Sequence, residues 1–277
     1  MYPTTLLAAL VALSPSLAAA QVVGTAYGFA TGVTGGDSKP GCLTAPACHP
    51  DRQDFQLHWQ RGHRVREGMP CQVWLQASNG GQDTIGKDSC GANESEVDVK
   101  YDKAAKTQLT VGSNKSIVGV GSKGIIQGKG LKIPQGTQNV IIQNIHITDL
   151  NPQYVWGGDG MSIEGVDGLW IDHCKFSKAG RMFIVSHFNP STFTISNTEF
   201  DGVTAYSNSC NKNQYWGTMF VADGDEVSLD RNWYHDMSGR APKISGTGTT
   251  VQAVNNYFSD SLSHNFDITK GTNILLE

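Results

Sequence analysis

Short runs in which apolar and polar residues alternate recur along the second half of the chain. Clear copies lie at residues 140–147, 169–176 and 193–200, and looser copies lie at 229–234 and 251–258. Alternation with a period of two, bounded by Gly and Asp, predicts a β-strand in each copy. No helical periodicity separates the copies, so this part of the chain is predicted to consist of strands and turns.

One polar side chain recurs in every copy, at Asn144, His173, Asn197, Asn232 and Asn256, with gaps of 29, 24, 35 and 24 residues. A repeat of roughly 20–50 residues indicates a solenoid, because a strand-and-turn unit buries its apolar face only by stacking on its neighbours. The predicted fold is all-β, a right-handed parallel β-helix. The Asn side chains and His173 are expected to form a hydrogen-bonded ladder. The alternative is a β-sandwich, which would not require the aligned Asn positions.

The N-terminus is typical of a secretory signal. An apolar run at 6–13 precedes Ala18-Ala19-Ala20 and Gln21. We expect a signal peptide at 1–20, a single β-helix domain at 21–277 and a secreted, extracellular protein. Residues 38–78 are atypical, with four prolines, three cysteines and no regular period. The chain also ends inside a predicted strand, so we expect the β-helix to be incomplete at its C-terminus.

Composition narrows the range of partners. The net charge of −4 gives no indication of a nucleic-acid partner, and no apolar run is long enough to span a bilayer. Six cysteines suit an oxidising compartment, and their pairing stays open. Cys174 lies inside a repeat, which favours a buried free thiol. Asn93 and Asn114 begin glycosylation acceptor triplets.

Two loops carry the candidate chemistry, at residues 154–159 and 238–243, with Gly180-Arg181 and Gln214-Tyr215-Trp216 between them. In a β-helix, residues at the same point of successive coils become neighbours. The charged residues that we expect to share one cleft are Asp159, Arg181, Arg240 and Lys243. For any one of them the alternative is a solvated or structural residue on a loop.

A cationic groove lined with aromatic rings suits sugar acids or their esters. Removing a proton α to a carboxyl group or an ester builds up enolate-like charge, which Arg and Lys groups stabilise. An arginine acts as a base only where a neighbouring cation and partial burial lower its pKa, or where the proton itself is weakly acidic. Lys243 is such a neighbour for Arg240.

Several segments resemble fungal pectin lyases, which belong to the polysaccharide lyase family that also contains the pectate lyases. The segments are Ser113-Asn114-Lys115-Ser116-Ile117, Gln143-Asn144-Ile145, Tyr154-Val155-Trp156-Gly157-Gly158-Asp159, Trp170-Ile171-Asp172-His173, Ser238-Gly239-Arg240-Ala241-Pro242-Lys243 and Ala253-Val254-Asn255-Asn256-Tyr257. The resemblance implies β-elimination of methyl-esterified polygalacturonate (pectin). It covers residues 21–37 and about 79–277, and residues 38–78 depart from it, as does Met219, where relatives often have a tyrosine.

The resemblance also implies roles for residues of this chain. Arg240 matches the base that takes the C5 proton, Arg181 and Asp159 match its partners, and Lys243 matches a nearby cation. The residues expected to bind substrate are Trp156, Tyr154, Tyr215 and Trp216. No metal and no cofactor are expected, because an arginine, Arg181 here, takes the place of the calcium used by pectate lyases. We expect a monomer whose partner is pectin.

Three other functions remain open at this point. One is a calcium-dependent pectate lyase. Another is a hydrolase that uses Asp223 and Asp225 as its pair of carboxylates, although a turn explains these two residues better. The last is an inactive binder of acidic polysaccharide. His173, His187, His235 and His264 do not have the spacing of metal ligands.

Overall fold

The computed structural model describes residues 21–35, 56–57, 77–85 and 98–277. Within these residues helix is confined to two 3₁₀ turns, Gly28–Ala30 and Ala77–Asn79, and one short helix, α1, Lys103–Lys106. The strands are, in chain order, β1 (Gln56–Leu57), β2 (Asp83–Thr84), β3 (Leu109–Thr110), β4 (Lys115–Val118), β5 (Ile125–Gln127), β6 (Leu131–Ile133), β7 (Gln138–Gln143), β8 (His146–Thr148), β9 (Tyr154–Val155), β10 (Met161–Ile163), β11 (Asp167–Asp172), β12 (Lys175–Ser177), β13 (Ile184–Ser186), β14 (Thr192–Ser196), β15 (Glu199–Asp201), β16 (Thr218–Phe220), β17 (Glu226–Asp230), β18 (Trp233–His235), β19 (Lys243–Ile244), β20 (Thr250–Val254), β21 (Tyr257–Ser259), β22 (Asp267–Ile268) and β23 (Asn273–Leu276).

Three parallel sheets form the body of the molecule. The front sheet runs β3-β6-β10-β13-β16-β19-β22, the back sheet runs β4-β7-β11-β14-β17-β20-β23, and the side sheet runs β1-β5-β8-β12-β15-β18-β21. The chain visits front, back and side in turn and then repeats. This is the predicted parallel β-helix, and its strand pairs are parallel, unlike those of an antiparallel sandwich.

Aromatic side chains stack inside the coils, behind the side sheet. Phe176, Phe200, Tyr234 and Phe258 pair across successive strands, with ring centroids 5.6, 4.3 and 5.2 Å apart and planes within 17° of parallel. Phe176, Phe200 and Tyr234 are at most 1% exposed. Because full burial of such a ring contributes about 1.5–3 kcal/mol, this stack is a principal source of cohesion between coils.

The predicted ladder of polar side chains is wrong at Asn144, His173 and Asn197, because the side chain that points inward belongs to the next residue in each case. Asn144, His173 and Asn197 adopt left-handed conformations, with φ of 56°, 50° and 47°. They form the turn between the back and side sheets, and Arg231 and Asn255 hold the same place in later coils, with φ of 53° and 54°. The side chain of His173 is 63% exposed, and among the described residues its one hydrogen-bond partner is its neighbour Asp172 (2.7 Å). His173 is therefore a turn residue and not part of a ladder.

The inward position is the next residue along each coil. Asn232 Nδ2 donates to Asn256 Oδ1 (3.0 Å), and the N–H of Thr198 donates to Asn232 Oδ1 (3.0 Å). Cys174 lies one coil earlier, and its N–H donates to Thr198 Oγ1 (3.3 Å). Cys174 is a buried free thiol, as predicted, and burial raises its pKa to about 12.

Residues 21–35, which we call the N-terminal strap, lie across the outside of the back sheet. The N–H groups of Val23, Ala30 and Phe29 donate to Gln143 Oε1 (2.8 Å), Thr194 Oγ1 (3.0 Å) and Ser228 Oγ (3.1 Å), which belong to β7, β14 and β17. Ala26, Ala30 and Val33 pack with the buried Trp170. The strap thus covers the apolar outer positions of the back sheet.

Candidate active site

The candidate residues stand just before successive strands of the front sheet. Asp159 precedes β10, Arg181 precedes β13, Trp216 precedes β16 and Arg240 precedes β19. Because the strands of the front sheet are parallel, their N-terminal ends lie along one side of the sheet. Residues far apart in sequence are therefore aligned along the axis of the β-helix.

Asp159 and Arg181 form a two-pronged ion pair. Arg181 Nε and Nη2 donate to the two carboxylate oxygens of Asp159 at 2.8 and 2.6 Å. Asp159 Oδ1 also accepts the N–H of Met182 (2.9 Å). Such charge-assisted, bidentate geometry fixes both side chains in place. The guanidinium of Arg181 is thereby held with one face free to meet another group.

The ring of Trp156 meets that face, with the guanidinium carbon of Arg181 4.1 Å from its centroid. Trp156 is 46% exposed and has a φ of 65°, a strained conformation for a bulky residue and one that is common at functional sites. The adjoining cleft of about 320 Å³ is lined by Ile85, Ala105, Lys106, Gln108, Trp156, Gly158, Asp159 and Arg181. Gly158 is needed here, because a Cβ would lie 2.5 Å from the carbonyl oxygen of Ala105.

Arg240 lies over a pair of perpendicular rings. Its guanidinium carbon is 4.7 Å from the centroid of Trp216 and 5.5 Å from that of Tyr215. Arg240 Nη1 is 3.5 Å from the sulfur of Met219. Gly239 makes this packing possible, since a Cβ there would lie 2.7 Å from the Tyr215 ring. Arg240 itself has a φ of 49°.

Among the described residues, no carboxylate lies within 4.0 Å of the Arg240 guanidinium. This distinguishes Arg240 from Arg181 and from Lys243. The Lys243 ammonium bonds Asp267 Oδ2 at 2.7 Å, on the next strand of the front sheet. The positive charge of Lys243 is therefore largely compensated, which weakens the expectation that Lys243 makes Arg240 a base.

Asp267 is a site residue that the sequence reasoning missed. The hydrogen bond from Lys243 lowers its pKa, and the charges of His264 and Arg240 add to the effect. Asp267 lies 24 residues after Lys243, one regular coil of this solenoid. Applying the repeat spacing to Lys243 would have found it.

Gln82 is a second residue that was missed. Its Oε1 accepts the indole N–H of Trp216 (2.9 Å), and its Nε2 donates to the carbonyl oxygen of Gly180 (3.2 Å). Gln82 thus links the segment that carries Arg181 to the ring that supports Arg240. Nothing in its own sequence context marks it, because the contact depends on how residues 77–85 lie against the coils.

The structure does not place Tyr154 with the other predicted groove residues. Its ring packs against a small buried cluster formed by Ile85, Val99 and Tyr101, and β9, which contains it, pairs with β2. A contact between Tyr154 and substrate stays a prediction.

Asp223 and Asp225, the two carboxylates of the hydrolase alternative, lie in different environments. They lie in the turn between β16 and β17, as the turn interpretation expected. Asp223 is exposed and accepts the N–H of Thr247 (2.7 Å). Asp225 is fully buried, and burial raises its pKa to about 7, partly offset by the Ser186 hydroxyl and the Ser191 N–H. A fully buried carboxylate does not reach a polymer in a groove.

One group in the described part of the chain has the composition of a metal site. Glu199, Asp201 and His235 on the side sheet bring their ligand atoms within 4.8 Å of one another. The Lys175 ammonium bonds both carboxylates at 2.8 Å. This lysine holds the position that a cation would take, and it provides the positive charge that the cluster requires.

No helix among the described residues is both long and apolar enough to cross a membrane. A family model described as "Pectate lyase" matches residues 80–277. The chain belongs to this family of polysaccharide lyases, as the resemblance of its motifs implied.

Curated relatives narrow the likeness further. The chain is 45% identical to "Probable pectin lyase F-1" of Aspergillus terreus, over 97% of this chain and 74% of that protein. It is 43% identical to "Probable pectin lyase E" of Aspergillus fumigatus (93% and 72%) and 42% identical to "Pectin lyase B" of Emericella nidulans (97% and 74%). Among solved structures, it is similar to a Bacillus subtilis pectate lyase mutant (17% identity, 62% and 59% coverage, TM-score 0.46) and to a pectate lyase bound to a hexasaccharide (18%, 64% and 58%, TM-score 0.46).

Proposed function

We propose that the protein is a secreted, endo-acting pectin lyase. It cleaves methyl-esterified polygalacturonan by β-elimination and yields unsaturated oligogalacturonides. The observation that carries the proposal is the position of Arg240, which lies over Trp216 and Tyr215 with no carboxylate within 4.0 Å among the described residues. The names of the curated relatives agree with this substrate.

The reaction follows from the arrangement of these groups. The polymer lies along the front sheet, where Trp156, Tyr215 and Trp216 offer ring faces to its sugars. Arg240, in its neutral form, accepts the proton from C5. The electrons of the C5–H bond form the C4–C5 double bond, the C4–O4 bond breaks, and the departing oxygen takes a proton from solvent water.

The guanidinium of Arg240 is available to act as the base because, in the described part of the chain, no carboxylate within 4.0 Å occupies its nitrogen atoms. Arg181 faces the negative charge that develops on the ester carbonyl, and Asp159 fixes its orientation through two hydrogen bonds. Lys243 adds a second, weaker positive charge at the same site.

Metal independence is part of the proposal. In a calcium-dependent pectate lyase, carboxylates hold the ion that neutralises the substrate. Here the carboxylate of Asp159 is occupied on both oxygens by Arg181. The guanidinium supplies the positive charge that calcium would supply, which favours a pectin lyase over the calcium-dependent alternative.

The test is the formation of unsaturated product from highly methyl-esterified pectin in the presence of a chelator, followed by ultraviolet absorbance. We expect metal-independent product from the parent protein and a loss of about 10²–10⁴-fold in the Arg240→Ala variant, the usual range for a lost general base. Arg231→Ala is the matched control, because Arg231 lies exposed in a turn.

A folded parent protein that forms no unsaturated product would contradict the proposal. Binding of pectin without turnover would indicate the inactive polysaccharide binder instead. Product that disappears on adding chelator would indicate the calcium-dependent enzyme. Secretion is proposed from residues 1–20, which lie outside the described residues.

A further inference from the structure

Charges along the front sheet are compensated in pairs that join neighbouring coils. The pairs within the described residues are Lys132–Glu164 (2.7 Å), Arg181–Asp159 (2.6 Å) and Lys243–Asp267 (2.7 Å). In each of these three pairs a cation has its own carboxylate, whereas Arg240 has none within 4.0 Å among the described residues. A surface built in this way has little net attraction for a polyanion, although it carries many charges.

Asp267 differs from the other two carboxylates in its position. It lies directly beside Lys243 in the register of β19 and β22, and its side chain is 34% exposed. Its electrostatic neighbours include Arg240 and His264. A fixed negative charge thus lies beside the Lys243 ammonium and within electrostatic range of Arg240, although more than 4.0 Å from the Arg240 guanidinium.

The C6 group of a galacturonate unit is either a free carboxylate or a methyl ester, and the two forms interact differently with the charge of Asp267. A free carboxylate is repelled by Asp267 and has to compete with it for the Lys243 ammonium. A methyl ester carries no charge and is not repelled. The thioether of Met219, 3.5 Å from Arg240, adds an apolar surface that is compatible with an ester methyl group.

We propose that Asp267 is a specificity-determining residue, which makes the part of the groove around Arg240 and Lys243 favour a methyl ester over a free carboxylate. This inference rests on the proposed function, and it adds the residue that selects the form of the substrate. Its action is electrostatic, so it decreases as salt screens the charges.

The test compares fully methyl-esterified and de-esterified oligogalacturonides of the same length. Their dissociation constants are measured by calorimetry at low salt in an Arg240→Ala background, where proton removal is blocked. Asp267→Asn removes the charge and keeps the shape, and we expect the preference for the ester to fall roughly three- to tenfold, the effect of one nearby charge in a wet site. Asp267→Glu should retain the preference.

A second variant acts in the opposite direction. Lys243→Gln leaves Asp267 without its partner, so repulsion of a free carboxylate increases and the preference for the ester should rise. Asp230→Asn is the control, because Asp230 pairs with Arg231 (2.9 Å) on the back sheet, and it should leave the preference unchanged. Raising the salt should reduce the differences between variants.

An unchanged preference in Asp267→Asn, an equal fall in Asp230→Asn, or no binding of either oligomer by any form would overturn the assignment. Catalysis is measured separately, as kcat/KM on pectins of high and low esterification in the presence of Arg240. A shift in binding preference without any unsaturated product from the parent would retain the role of Asp267 and reject the proposed lyase activity.

Discussion

The pairing of Arg181 with Asp159 shows how a single guanidinium is oriented in this groove. The carboxylate of Asp159 accepts three hydrogen bonds, two from Arg181 and one from the N–H of Met182. Trp156 then covers one face of the guanidinium. Arg181 therefore has one fixed orientation, and its remaining N–H groups point in a direction that is set before substrate arrives.

Replacing the carboxylate tests this orientation. In Asp159→Asn the side chain keeps its shape, but one oxygen becomes a donor and faces Arg181. We expect kcat to fall by about 10–100-fold with a smaller change in KM, because the loss falls on the developing charge rather than on substrate binding. Steady-state kinetics on highly esterified pectin measure both constants.

Asp149→Asn is the control for that experiment, since Asp149 makes a long, exposed contact with Lys178 (3.9 Å). Equal losses in the two variants would mean that Asp159 has no special role in the reaction.

At the scale of the element, the interior aromatic stack holds the coils of the side sheet together. Phe200 is fully buried between Phe176 and Tyr234, with centroids 5.6 and 4.3 Å away. Its neighbours lie on the paired strands of the previous and the next coil. Because these strands are held in place by hydrogen bonds, they cannot easily move to fill a cavity left by the ring.

Phe200→Ala should therefore lower the free energy of unfolding by about 3–5 kcal/mol, the upper range for removing a buried ring. Phe200→Leu should cost less, because most of the volume is kept. Urea denaturation gives both values. Phe188→Ala provides the comparison, since Phe188 is 74% exposed, and a similar loss there would contradict the structural reason given for Phe200.

The strands could be predicted from the sequence because their alternation of apolar and polar residues repeats. The exact residue that forms each turn between the back and side sheets could not be predicted. Left-handed turn residues and inward-facing residues are adjacent, and Asn suits both places. Asn255 and Asn256 illustrate the ambiguity, because the first forms the turn and the second the ladder. The recurring polar residue therefore predicted the repeat, but not which of two adjacent residues forms the turn and which points into the coil.

The candidate site was likewise predictable only in part. The residues before β10, β13 and β19 were predictable because coils of known spacing bring them into line. Asp267 and Gln82 were not predicted. Gln82 lies in a polar stretch with no pattern of its own, and its contact with Trp216 depends on how residues 77–85 lie against the coils. Asp267 follows Lys243 by one coil of 24 residues, and this spacing had not been applied to Lys243.

At the scale of the whole molecule, Asp225 links stability to pH. The carboxyl is fully buried, and its pKa is raised from its usual value to about 7. In the unfolded chain it would titrate near its ordinary value of about 3.9. The protonated form is favoured by folding, so its contribution to stability is fully present below about pH 4 and is lost as the pH rises through 7.

Asp225→Asn should remove this dependence while its amide oxygen still accepts the N–H of Ser191. We expect the variant to become more stable relative to the parent as the pH rises from about 4 to 7, by on the order of 3–4 kcal/mol at most. Urea denaturation of both proteins across this range is the measurement. Parallel pH profiles would show that Asp225 does not retain its proton in the folded state.

The N-terminal strap changes how the coils depend on one another. In a plain solenoid each repeat interacts with its immediate neighbours, and a free end can unravel one unit at a time. The strap hydrogen-bonds to Gln143, Thr194 and Ser228, which lie on coils that are not all adjacent. Opening one of these coils strains or detaches a segment that the others share, so local fraying is converted into a collective, all-or-none transition.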